Sequence, residues 1–159
     1  MKKSKQVLYL LISIFVVALD QWLKNYIVST MRVGEVKNVI PHVLSFYYLR
    51  NDGAAWNILS GQMWLFYLIT IAAIIVVIYY LFNPKYANPL FDTGLALVLG
   101  GIVGNFVDRL HLKYVIDMFQ LDFVNFNIFN IADSAITVGI ILVFIYILFM
   151  DNDKKFEGK

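Results

Sequence analysis

The sequence predicts an α-helical polytopic membrane protein with four transmembrane helices and small strand-like elements in its two outer segments. Three observations point that way. Of the 159 residues, 60% are hydrophobic and 15% charged, against about 45–50% and 25% in ordinary soluble domains, and the mean hydropathy is +0.71. A core of this size cannot hide so much apolar surface, so part of it faces lipid. Four apolar runs, at about 6–28, 63–82, 90–107 and 131–150, come close to the roughly 20 residues that a bilayer crossing requires. The segments after the first and third runs are long and rich in aromatic and polar residues, whereas only a short linker follows the second.

The first run is preceded by MKKSK and, after Gln6, continues as VLYLLISIFVVAL, which together have the basic and apolar regions of a signal peptide. No small-x-small cleavage site follows; Asp20, Gln21 and Trp22 come next, so a retained first helix is expected. In the first outer segment LSFYYL (44–49) is aromatic-rich with partial alternation and reads as a short strand. The linker NPKYANP (83–89) carries two prolines and joins runs two and three. In the second outer segment DFVNFNIF (122–129) reads as a second strand. The chain forms one membrane-embedded domain over 1–159, with no internal repeat and no low-complexity stretch.

Basic residues near span ends tend to stay cytoplasmic. Lys2, Lys3, Lys5, Lys85, Lys154, Lys155 and Lys159 fall on one side; Arg32, Lys37, Arg50 and Lys113 fall on the other, with Lys24 and Arg109 near helix ends there. The bias is modest and places both termini inside. All the conspicuous polar residues then converge on the outer side: Asp20 and Lys24, Asn51 and Asp52, Asn105, Asp108 and Arg109, Asp117, and Asn130 with Asp133. Ionisable groups at the edge of a span are costly and read as functional by default.

Each has a plainer explanation. Asp20 and Lys24 are spaced as a helix ion pair. NDGAAW suits a turn. Gly100 and Gly104 form a small-xxx-small pair for close helix packing, which leaves Asn105 and Arg109 unexplained. In FNIADSAIT (129–137), Asn130 and Asp133 have the spacing of a capping arrangement at the positive end of span four.

The inventory narrows the chemistry. There is no cysteine, which removes thiol catalysis, disulfides and thiolate metal sites. His42 and His111 stand alone, so a metal centre is not expected, and a net charge of +2 with no basic stripe gives no reason to expect nucleic acid. Ser134 has no evident base. What remains is a pair of aspartates, Asp117 and Asp133. Two carboxylates held together share a proton and titrate apart. The ionised one can deprotonate a water, and the protonated one can hydrogen-bond the carbonyl under attack. This is the logic of an aspartyl peptidase, without metal, cofactor or covalent intermediate.

Along nearly its whole length the chain resembles the lipoprotein signal peptidases (signal peptidase II) of bacteria. The resemblance is carried by Asp20-Gln21 with Lys24, by Asn51-Asp52-Gly53-Ala54-Ala55-Trp56, and by Gly100-Gly101 through Gly104-Asn105 to Asp108-Arg109. Val115-Ile116-Asp117 and Phe129-Asn130-Ile131-Ala132-Asp133 complete it, in the family's order. Trp56 stands where Phe is frequent, and Ile116 where a second Val is common.

The resemblance implies a multi-pass peptidase of the bacterial cytoplasmic membrane. It would cleave diacylglyceryl-modified prolipoproteins just before the lipid-bearing cysteine, near the outer face. It implies that Asp117 and Asp133 form the dyad. Asn51, Gly53, Asn105, Arg109 and Asn130 would line the pocket and engage substrate, and Asp20 and Lys24 would support it. It also implies sensitivity to cyclic peptides such as globomycin, contact with membrane lipids, and a monomer. The competing expectation is a small ion or proton-coupled transporter using Asp20, Asp117 and Asp133. Carriers, however, favour midplane ionisable groups and repeats, and the inner halves of spans two to four read as free of polar residues. A non-catalytic assembly partner would leave the asparagines and aspartates idle.

Overall fold

The structure is a computed structural model that describes residues 2–53 and 61–150, with side chains from 6 to 53 and 61 to 149. Expectations resting on Ala54, Ala55, Trp56, Lys154, Lys155 and Lys159, and on the side chains of Lys2, Lys3 and Lys5, fall outside the described residues. Helices α1 (Lys2–Thr30), α2 (Met63–Phe82), α3 (Pro89–Leu112) and α4 (Ile131–Ile145) are joined by strands β1 (Val36–Ile40), β2 (Leu44–Asn51) and β3 (Val115–Leu121). The last turn, Tyr146–Met150, widens into a π-helix. Among the described residues four helices are long and apolar enough to cross a bilayer, 6–30, 63–82, 89–112 and 131–149, so this is a multi-pass membrane fold.

Helix α3 is the centre of the bundle, and its sequence shows why. Asn88 caps it, accepting the Leu90 and Phe91 N–H groups, Pro89 fills the first position, and Lys113 ends it in the left-handed region at φ 67°. Small residues then let neighbours approach on two sides. A Cβ on Gly100 would lie 2.7 Å from Val16 Cβ of α1, and one on Gly104 would lie 2.9 Å from Asp20 Oδ2. A Cβ on Gly101 would run into the Ala132 carbonyl of α4. The expected glycine pair therefore serves α1, and Gly101 beside it serves α4. These contacts rise together along α1 and α3, which run parallel; α4 runs against them, since Gly94 meets Gly139 and Gly101 meets Ala132.

One apolar core fills the far end, around Tyr9, Leu81, Phe91, Leu95, Leu99 and Tyr146. A second lies under the sheet, where Tyr48, Ile116 and Met118 pack on Leu23, Ile27 and Met31 of α1. Asp20, Lys24, Asn105 and Asp108 lie beyond the first core on both helices, towards the sheet.

The strands differ from expectation in three ways. The sheet is antiparallel in the order β1-β2-β3, and β2 covers the expected 44–49. Strand β2 pairs with Val36–Ile40 on one side and Val115–Leu121 on the other, and the second expected strand, 122–129, is instead a turn in which Phe129 alone bridges back to Phe119. Asn125 and Asn127 interrupt that stretch, whereas β3 is buried on both faces from Val115 to Met118 and so shows no alternation. Strand β1 is exposed throughout and gave no signal. Span three also runs past Val107 to Leu112, carrying Asp108 and Arg109 inside the helix. Nor are the inner halves free of polar groups: Asp92, in the first turn of α3, is buried.

Candidate active site

Asp117 sits mid-strand on β3. Leu49 pairs with it and Asn51 pairs with Val115 two residues away, so Asn51 and Asp117 are diagonal neighbours on one face. Asp133 is the third residue of α4, and Asn130 caps that helix reciprocally. Asn130 Oδ1 accepts the Asp133 N–H at 2.8 Å, and Asp133 Oδ2 accepts the Asn130 N–H at 3.1 Å. The capping explanation of FNIADS is correct, and it is not the whole explanation. The other end of the Asn130 carboxamide donates to Asp117 Oδ1 at 2.7 Å and to Asn105 Oδ1 at 3.1 Å.

Every oxygen of the two carboxylates receives an N–H. Asn51 Nδ2 donates to Asp117 Oδ2 at 3.0 Å, and Asn105 Nδ2 donates to Asp133 Oδ1 at 2.7 Å. Asn130 supplies the remaining two, one from its side chain and one from its backbone. Asp117 is 2% exposed and Asn130 fully buried. Burial, and next the negative charge of Asp133, push the Asp117 carboxyl up to about 7, against the donors from Asn51 and Asn130 and the charge of Lys24. A carboxyl pair so placed can retain one proton near neutrality, the state that water activation requires.

Behind the pair, Asp20 and Lys24 form the expected i,i+4 ion pair at 2.7 Å, both almost wholly buried. Two residues without an expected role join it. Asp108 lies 2.9 Å from Lys24 Nζ, and Gln21 Nε2 donates to Asp108 Oδ1 at 2.8 Å. The signal for Asp108 was its place three residues after Asn105, on the same face of α3. Arg109 and Gly53 line the open side. The Arg109 guanidinium lies 4.7 Å over the Phe66 ring and reaches Gly53 O only at 3.5 Å. Ser134 donates to the Asn130 carbonyl and has no base beside it among the described residues.

The open side of the dyad faces one cavity of about 930 Å³. Asn51, Gly53, Asn105, Arg109, Asp117 and Asp133 form its polar side, and Leu49, Phe126, Ile136 and Val138 belong to its apolar wall. All nine site residues expected from the sequence thus fall in or directly behind a single pocket. No group of three or more potential metal-binding side chains occurs among the described residues.

The sequence and the fold have close counterparts. The family described as Signal peptidase (SPase) II matches residues 12–149. A lipoprotein signal peptidase of Lactobacillus gasseri is 77% identical over 152 residues, covering 96% of this chain and 99% of that one. One from Enterococcus faecalis is 48% identical over 153 residues, covering 96% and 94%. A bacterial membrane enzyme solved by the in meso method at 2.3 Å superposes with a TM-score of 0.84 at 41% identity, over 88% of this chain and 87% of that one. The matches in sequence and in backbone thus agree along nearly the whole chain, and the chain belongs to the signal peptidase II family.

Proposed function

We propose that this chain is an aspartic endopeptidase that removes the signal peptide from diacylglyceryl-modified prolipoproteins, just before the lipidated cysteine. The observation that carries the reading is the convergence of four N–H donors on the four oxygens of Asp117 and Asp133, at the polar side of a cavity whose other walls are apolar. In this reading a water between the two carboxylates loses its proton to the ionised one and attacks the scissile carbonyl. The protonated partner donates to the developing oxyanion and then passes a proton to the leaving amine. Asn51, Gly53, Asn105 and Asn130 hold the pair and the substrate backbone, and Arg109, which forms no ion pair among the described residues, faces the peptide.

The apolar wall suits a substrate that arrives sideways from lipid with a signal helix and two acyl chains. The site lies at the ends of α1 and α3 and the starts of α2 and α4, which the distribution of basic residues puts at the outer face of the cytoplasmic membrane, with both termini inside. A monomer suffices, since one chain supplies the whole constellation. A cyclic peptide such as globomycin would act by filling the cavity against the dyad.

The test is cleavage by the purified protein of a lipidated prolipoprotein and of its unlipidated counterpart, with products identified by mass. Release of the signal peptide directly before the cysteine, from the lipidated form, is the expected result. Cleavage elsewhere, or proton flux in liposomes without cleavage, would favour the carrier reading.

A further inference from the structure

Lys24 touches neither Asp117 nor Asp133, yet it reaches the backbone beside both. Its Nζ lies 2.7 Å from Asp20 Oδ2 and 2.9 Å from Asp108 Oδ2. Asp20 Oδ1 accepts the N–H of Ala132 at 2.9 Å, and Ala132 immediately precedes Asp133. Asp108 Oδ2 accepts the N–H of Ile116 at 3.1 Å, and Ile116 immediately precedes Asp117. A third contact, to Asn105 Oδ1 at 3.0 Å, continues through Asn105 Nδ2 to Asp133. Lys24 is 1% exposed, and burying an ammonium at such depth is costly unless it is fully paired. A helix ion pair alone would not need the second aspartate or the two backbone anchors.

We infer that Lys24 is a positioning residue that sets the separation of the two dyad carboxylates, holding α4 through Asp20 and β3 through Asp108. The inference rests on the dyad reading above. Asp117 and Asp133 stand on a strand and a helix joined by the 122–129 turn, and Phe129 and Asn130 tie the end of that turn back to Met118, Phe119 and Asp117. The three-way junction at Lys24 adds a tie through α1 and α3 to the residue before each aspartate. Small errors in the separation of the pair are expensive, since misplacing reacting groups by about 1 Å can cost on the order of 100-fold in rate.

The readout is the spacing between the two limbs of the pH–rate profile. Each carboxylate titrates in the field of the other, so the gap between the limbs shrinks as the pair moves apart. Loss of the Lys24 charge shifts both limbs in the same direction, whereas a change in separation alters the gap. The other charged groups near the pair are Asp20 from α1, Asp108 and Arg109 from α3, and Asp52 at the end of β2; the Lys24→Met variant retains all of them.

The experiment compares purified wild type and Lys24→Met on a lipidated prolipoprotein. The expected result is a kcat lower by roughly 100-fold, a KM within about twofold of wild type, and a narrowed gap. Where the residual rate is too low to profile, the gap is read from the carboxyl-carbon NMR titration of labelled aspartates. If Lys24→Met does not fold, Asp20→Asn and Asp108→Asn each release one arm, and the same narrowing is expected in both. An unchanged gap beside a two-limbed wild-type profile overturns the inference alone. A wild-type profile without two limbs overturns the dyad reading, and the inference with it.

Discussion

Asn130 donates to Asp117 at 2.7 Å while its own carbonyl oxygen accepts the N–H of Asp133 at 2.8 Å. One carboxamide thereby ties the first turn of α4 to the middle of β3. Its orientation is not free: with Oδ1 held by the cap, Nδ2 must face the carboxylate. The same device recurs twice. Gly53 N–H holds Asn51 Oδ1, and Lys24 holds Asn105 Oδ1, so each of these amides also turns its N–H₂ towards the pair.

Asn130→Ser separates the two roles. Serine caps helices about as well as asparagine, but it has no amide to offer Asp117, Asn105 or the Ile116 carbonyl. Turnover is expected to fall by at least about 100-fold, as for loss of one preorganised donor, while stability in detergent falls by about 1–3 kcal/mol for the buried groups left unpaired. Steady-state kinetics and thermal unfolding on the same preparation check both. Near-normal turnover would reduce Asn130 to a cap.

The pH dependence of stability follows from Asp117. Its carboxyl is raised from 3.8 to about 7 in the folded state, so the folded chain binds that proton more tightly than the unfolded one. The associated stabilisation is complete below about 3.8 and is lost as pH rises through about 7. The carboxamide of an Asp117→Asn variant does not titrate. The Tm of that variant relative to wild type is therefore expected to rise between pH 4 and 7, as measured by scanning fluorimetry in detergent. A pH-independent difference would contradict the buried, charge-coupled environment of Asp117.

Gly101→Ala tests the packing that seats Asp133. The added methyl would run into the Ala132 carbonyl, and overpacking of this kind costs about 1–3 kcal/mol. A lower Tm together with lost activity is expected. A variant with unchanged Tm and turnover would mean that α3 and α4 do not approach as closely as the structure has them.

Orientation is checked with single cysteines in a chain that has none of its own. Lys113 and Lys85 are both exposed and lie at opposite ends of α3 and α2. A cysteine at 113 should react with an impermeant reagent added to intact cells, and one at 85 should not. Labelling at 85 alone would invert the topology and move the site to the cytoplasmic face.

Much of this architecture was legible in the letters, because lipid imposes a length and a polarity on every crossing. The spans around 63–82 and 131–149 and the convergence of Asp20, Asn105, Asp117, Asn130 and Asp133 could be read directly. The strands could not. Alternation marks a strand with one wet face, and β3 has none at Val115–Met118, while β1 is exposed on both. The aromatic run 122–129 looked more like a strand than the true one. Asp108 and Gln21 stood out in the sequence without an assignable role: what they do lies in contacts with Lys24, with the Ile116 N–H and with each other, and spacing along one helix does not reveal partners on another element.

The central claim is that Asp117 and Asp133 act together on water. The most direct measurement is cleavage of a lipidated prolipoprotein by purified Asp117→Asn and Asp133→Asn, each checked for a folded state by thermal unfolding. Asparagine keeps the shape and removes the base and the shared proton. The expected result is that both variants remain folded and both lose cleavage by at least about 10⁴-fold, as when one member of a catalytic unit is removed. Turnover near the wild-type rate in either folded variant would contradict the dyad.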